Sequence, residues 1–111
     1  MVLVRFPLSD LSQPKLRSAI VLADAGRHDW ILCQVTSNPY GDPRAVWLAA
    51  SSFSSGSLRF DSHARPGKLF TASRELMAGQ VATLSSEARE QLIEAVVRML
   101  RGVNTLEDGE A

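Results

Sequence analysis

Along most of this chain the apolar residues come in short runs or loose alternation, and only near the end do they settle into a helical period. Val2 to Phe6 is apolar and β-branched around Arg5, which predicts a first strand. Pro7 to Lys15 carries Pro7, Ser9, Asp10, Ser12, Gln13 and Pro14, so a loop is expected there. Leu16 to Ala23 holds the unbroken run Ala19-Ile20-Val21-Leu22, the pattern of a strand buried on both faces. Asp24-Ala25-Gly26 signals a turn, and Asp29 to Thr36, with Trp30, Ile31, Val35 and Thr36, predicts a third strand. After the loop SNPYGDP from Ser37 to Pro43, a short strand is expected from Arg44 to Leu48. Ala49 to Ser57 suggests a helical turn around Phe53, ending near Gly56. Leu58 to Ala72 predicts a strand, a break at Pro66 and a further strand through Leu69-Phe70-Thr71, and Gly79 to Leu84 predicts a last one.

The end follows another rule. Ser85-Ser86-Glu87 supplies a hydroxyl cap and an early carboxylate at the positive end of a helix dipole. Ala88, Leu92, Ala95, Val96, Met99 and Leu100 fall on one helical face, while Glu87, Glu90, Gln91, Glu94, Arg98 and Arg101 fall on the other. Gly102 is a natural stop. Several short strands and one packed helix imply a mainly β domain with a C-terminal helix, built as a small, strongly bent sheet or barrel. The expected domain spans residues 1–102, and the acidic stretch 103–111 reads as a fraying tail.

Composition narrows the class. With 111 residues, 45% hydrophobic and 22% charged, the chain suits one globular domain rather than a disordered segment. Lys plus Arg and Asp plus Glu number twelve each, so bulk basicity is absent. Arg59, Arg65, Lys68 and Arg74 nevertheless lie close in sequence, which allows a local basic surface. The single cysteine, Cys33, sits in the apolar run Trp30-Ile31-Leu32-Cys33 and reads as a small buried hydrophobe. No segment reaches membrane-spanning length and the start is too short for a signal peptide, so a cytoplasmic protein with no membrane partner is expected.

The sequence contains no phosphate-cradling GxxxxGK[ST] loop, dinucleotide-binding glycine pattern, zinc motif or nucleophile elbow. Neither a metal nor another cofactor is expected. Of the two histidines, His28 falls in the turn Gly26-Arg27-His28-Asp29, where solvent exposure is expected. His63 lies in a polar patch after Asp61-Ser62 and is a candidate for touching substrate. Arg17-Ser18 enters an apolar strand, and Val35-Thr36-Ser37-Asn38 leaves one. If those strands are neighbours, Arg17 and Thr36 converge, and a guanidinium beside hydroxyl and amide donors suits a phosphate. On spacing alone, a surface arginine and a β-preferring threonine account for both residues more readily.

Three ordered segments shift that balance: VLVRFPLSDLSQPKLRSAIVLA, DWILCQVTSNPYGDPRAVWL and SGSLRFDSHARPGKLFTA. Together they resemble the MazF/PemK family of toxin endoribonucleases over about Val2 to Leu100. The resemblance implies an SH3-like barrel of the PemK/CcdB type and a homodimer. It further implies metal-independent cleavage of single-stranded RNA (mRNA) at short sequences, silencing by a cognate antitoxin, and DNA binding together with that antitoxin. The products would be a 2′,3′-cyclic phosphate and a 5′-OH. The family's arginine before the second strand matches Arg17, and its hydroxyl residue at the end of the third matches Thr36. These two are the expected catalytic residues. Ser18, Ser37, Asn38, His63 and Arg65 are the expected RNA contacts, with Ser62 and Arg65 matching a later family pattern. The sequence departs from the family at Ser18 and Arg5, where prolines are usual. The rival expectation is a non-catalytic binder of the same fold, either a gyrase-poisoning type of toxin or an inactive copy that only binds an antitoxin.

Overall fold

The computed structural model describes residues 1–6, 15–56 and 61–102. Its strands are β1 (Val2–Phe6), β2 (Lys15–Gly26), β3 (Asp29–Thr36), β4 (Val46–Leu48), β5 (Phe53–Gly56), β6 (Ser62–Ser73), β7 (Met77–Gln80) and β8 (Ala82–Leu84). One helix, α1 (Ser86–Leu100), follows them. A six-stranded antiparallel sheet runs in the order β4-β6-β3-β2-β1-β7, and β5 pairs with β8 in a second, two-stranded sheet. The mainly β fold with a C-terminal helix is the one the pattern predicts. No helix among the described residues is long and apolar enough to cross a membrane.

Adjacent residues on the central strands belong to separate clusters, because side chains alternate between the faces of a sheet. Ile20, Cys33, Val35, Leu48 and Ala64 point to one face and pack with Leu92 and Val96 of α1, together with Met1 and Ala82. Val4, Ala19, Leu32 and Ala72 form a second cluster on the other face, edged by Val2, Val21, Trp30, Phe70 and Met77. The continuous apolar run in β2 thus serves both clusters. Ser85 caps α1 by accepting a hydrogen bond from Ala88 N at 3.1 Å. Gly102, at φ +80°, ends it in a left-handed conformation.

The ladder between β2 and β3 slips between Val21 and Ala23. Such a bulge leaves a backbone group without its ladder partner. Arg89 of α1 covers the spot, donating to Val21 O at 3.2 Å and to Leu22 O at 2.9 Å. At the far end of these strands Gly26 faces Asp29 across a two-residue turn. Arg27 (φ 54°) and His28 (φ 68°) both take the positive φ that a type I′ hairpin demands. His28 is exposed there, as expected.

Five expectations need correction. Asp24-Ala25-Gly26 is not a turn but the end of β2, and the turn follows at Arg27 and His28. The helical turn is a 3-10 turn at Ala50–Ser52, and Phe53 already opens β5. Ser52 Oγ accepts from Ala49 N at 3.1 Å and closes the turn early, which frees Phe53 to pack on the first cluster. Pro66 does not break β6: it sits where the register against β3 jumps from Cys33–Leu69 to Val35–Ala64. Proline lacks an N–H, so it is tolerated where the ladder is already interrupted. The segment Gly79 to Leu84 is not one strand. Gln80 pairs with Val2 in the large sheet and Ala82 with Gly56 in the small one, so the chain changes sheets at Val81. Leu100 is 67% exposed rather than packed. The buried stripe Ala88, Leu92, Val96 advances four residues per step against 3.6 per turn, so it has rotated off the sheet by Leu100. Residues 7–14 of the expected loop, Arg59 and the tail 103–111 lie outside the described residues, and Lys15 already opens β2.

Candidate functional site

Strand register builds the site. Trp47 on β4 stands opposite His63 on β6, and His63 also stands opposite Thr36 on β3. Residues directly opposed in an antiparallel pair share a face, with Cβ atoms about 4.5–5.5 Å apart. Trp47, His63 and Thr36 therefore form a transverse row across three strands. Val46, Leu48, Val35 and Ala64, their chain neighbours, all turn towards the helix-packed cluster, so the row occupies the opposite face. β2 lies next to β3, and the last pair of their ladder at this end is Ala19 with Gln34. Arg17 and Thr36 each lie two residues beyond that pair, on its face and at its end. The adjacency on which their convergence depended is thus present. Arg17 is exposed, opposite Val4 of β1.

The loop after β3 is folded by its own short polar side chains. Thr36 Oγ1 accepts from Asn38 N at 3.2 Å and donates to Asn38 O at 3.1 Å. Asn38 Oδ1 accepts from Tyr40 N at 2.8 Å, and Asp42 Oδ1 accepts from Arg44 N at 2.9 Å. These are the local side-chain turns that Asn, Asp and Thr favour. Tyr40 and Gly41 take positive φ between them, 55° and 71°. Arg65 of β6 closes the loop from outside: its Nε donates to Asp42 Oδ2 at 3.1 Å and its guanidinium lies 5.6 Å from the Tyr40 ring centroid. The N–H of Arg44, and then the Arg65 guanidinium, hold the Asp42 carboxyl below its usual range.

Two further groups at this end of the sheet have opposite characters. Cys33 is fully buried, donates its thiol to Arg65 O at 3.2 Å, and has its pKa pushed up to about 12 by burial. It is the inert core thiol that the sequence suggests. His63 Nδ1, by contrast, is buried with no hydrogen-bond partner among the described residues. Unpaired buried polar atoms are uncommon in folded proteins.

The candidate residues separate into groups. Thr36 and His63 are cross-strand neighbours, Arg17 stands at the same end of the adjoining strand, and Ser37 and Asn38 are exposed beside Thr36. Ser18 is half-buried and alternates to the other face from Arg17. Arg65 reaches the loop but is committed to Asp42 and Tyr40. Arg74 belongs elsewhere, lining a groove of about 390 Å³ with Val2, Val21, Trp30, Met77, Gly79 and Gln80. That groove contains no member of the row. Two exposed aromatics had not been singled out: Trp47 at 58% and Tyr40 at 69%. The Val46-Trp47-Leu48 alternation was the available signal, since it turns Trp47 away from any core that holds Val46 and Leu48.

Solved toxins share this fold. The Mycobacterium tuberculosis toxin MazF-mt6 superposes with a TM-score of 0.68 at 15% identity, covering 91% of this chain and 97% of its own. A second Mycobacterium tuberculosis toxin gives 0.64 at 15% identity, covering 86% and 97%. An endoribonuclease solved with its cognate antitoxin, from a mycobacterial species, gives 0.62 at 9% identity, covering 94% and 95%. The chain has a MazF-like fold. No protein-family model matches it, and comparison with curated proteins returns no match.

Proposed function

We propose that this chain is the toxin of a type II toxin–antitoxin pair, a metal-independent endoribonuclease that cuts single-stranded mRNA at a short sequence in the cytoplasm. One observation carries the reading: in a fold shared with solved MazF toxins, Thr36 and His63 are paired across β3 and β6, and Arg17 stands at the same end of β2. In the reaction the ribose 2′-oxygen attacks the adjacent phosphorus and the P–O5′ bond breaks. The 2′ proton leaves and O5′ gains one, giving a 2′,3′-cyclic phosphate and a 5′-OH. Negative charge builds on the phosphoryl oxygens, and donors already in place lower that barrier. Arg17 supplies the cation, and its planar fork suits two phosphoryl oxygens. Thr36 supplies a hydroxyl once its bond to Asn38 O yields to substrate. His63, Ser37, Asn38 and Arg65 contact the RNA around them. Ser18, the remaining expected RNA contact, alternates to the other face of β2 from Arg17.

The same reading includes a cognate antitoxin, DNA binding together with it, and a homodimer. A chain this small gains from the extra burial of a two-fold interface. Light scattering at micromolar concentration should return twice the chain mass; a clean monomer removes the dimer. The activity is tested by incubating the protein with single-stranded RNA in chelator and characterising the ends. Discrete fragments with cyclic-phosphate termini are expected, and intact RNA overturns the reading.

A further inference from the structure

The row ends in an aromatic side chain that the fold leaves uncovered. β4 is the edge strand of the large sheet. Val46 and Leu48 turn inward, while Trp47 turns outward beside His63 and stays 58% exposed. Two residues further along β6 from His63, roughly 7 Å of strand, Arg65 lies against Tyr40, itself 69% exposed. Tyr40 is no loosely hanging side chain. Its backbone N–H is fixed to Asn38 Oδ1, and the cation beside its ring is fixed to Asp42. Two preset aromatics thus border a surface bearing an arginine, a threonine hydroxyl and an imidazole.

We propose that Trp47 and Tyr40 are base-stacking subsites, each taking a nucleobase of a single strand whose phosphate lies over Thr36 and Arg17. This rests on the reading of the chain as an RNA-cutting enzyme and extends it to how the substrate is held. Stacking on an aromatic side chain requires a base whose π-face is free, which a duplex does not offer. The platforms therefore select single strands through the bases, while Arg17 engages the backbone. Arg65 stiffens the Tyr40 platform and adds a guanidinium plane of its own. An acidic peptide would be drawn to the same cations, but it has no flat ring to place on each aromatic.

The test measures binding of the full chain to dodecamers of 2′-O-methyl uridine, which cannot be cleaved, and to an abasic sugar–phosphate strand of equal length. Trp47→Ala should weaken the base-bearing strand roughly five- to a hundredfold, Trp47→Phe less, and Tyr40→Ala by a smaller factor. All three should bind the abasic strand like the parent and melt at its temperature, since both rings are largely in solvent. If Trp47→Ala binds both strands and cuts RNA like the parent, the subsites are wrong and the ribonuclease reading survives. If the parent binds neither strand and leaves RNA intact, that reading fails and the proposal falls with it. If Trp47→Ala weakens only an acidic antitoxin peptide, the aromatic serves a protein partner and the proposal is overturned.

Discussion

The two faces of the six-stranded sheet are built from alternate residues of the same strands, yet they obey different rules. On the face under α1, Ile20, Cys33, Val35, Leu48 and Ala64 are packed with Leu92 and Val96. On the other face, at the end where β2, β3, β6 and β4 lie side by side, Arg17 and Trp47 are exposed and His63 Nδ1 is buried without a partner among the described residues. A packed face is over-determined, because every side chain there is held by several others. The open end is held by register and a few local hydrogen bonds, and several of its side chains face solvent. One strand therefore alternates packed and open positions on successive residues: Val35 and Thr36 on β3, or Ala64 and His63 on β6.

Substitutions on the two faces should fail in different ways. Leu92→Ala leaves a cavity under the sheet where no side chain is free to fill it. It should cost about 3–5 kcal/mol of stability, read from denaturant unfolding. A loss below 1 kcal/mol would show that α1 does not brace this face. Arg17→Ala should instead leave the melting temperature unchanged and lower RNA cleavage about 10²- to 10³-fold, the usual effect of removing one donor to a developing anion. Arg17→Lys should recover little, since a point charge does not replace the fork. Full activity in Arg17→Ala would take the residue out of the mechanism.

The contrast also explains what could be read in advance. Burial writes itself into sequence as period: the run at Ala19–Leu22 and the stripe Ala88, Leu92, Val96 gave β2 and α1 directly. Arg17 and Thr36 were legible as a pair only through resemblance, since nothing in their spacing says that β2 neighbours β3. Trp47 was missed because an exposed tryptophan in a short apolar stretch looks like one more core residue. The sheet change at Val81 and the bulge around Pro66 escaped for a related reason. Both depend on which strand lies alongside, and local propensity carries no information about that.

The hairpin at the far end of β2 and β3 offers a smaller test, remote from both the helix face and the row. Arg27 and His28 hold positive φ that their side chains disfavour. His28→Gly should stabilise the fold by about 0.5–1 kcal/mol and leave cleavage untouched. A loss of stability would mean that the histidine contributes more than the turn costs. Altered cleavage would mean that this end of the sheet communicates with the other.

The smallest effect is expected at the open end of the sheet. Asp42 fastens the loop after β3 to Arg65, so its ionisation should matter there and nowhere on the packed face. Its carboxyl is held below the ordinary value of 3.8, first by the N–H of Arg44 and then by Arg65. A depressed folded pKa means that the unfolded chain takes up the proton more readily. The stability contributed is therefore complete above the unfolded pKa and disappears as pH falls through the lower, folded one. Ion pairs with partial solvent access contribute only a few tenths to about 1 kcal/mol. Comparing Asp42→Asn with the parent by thermal melts from pH 7 down to pH ~3 should show a small deficit near neutrality that narrows in acid. The Tyr40 ring, held beside the same arginine, should become more mobile over the same interval. A deficit that persists unchanged at the acid end would place the cost of Asp42→Asn in shape rather than charge. The loop would then be held by its backbone turns alone, with Arg65 free to turn towards a substrate.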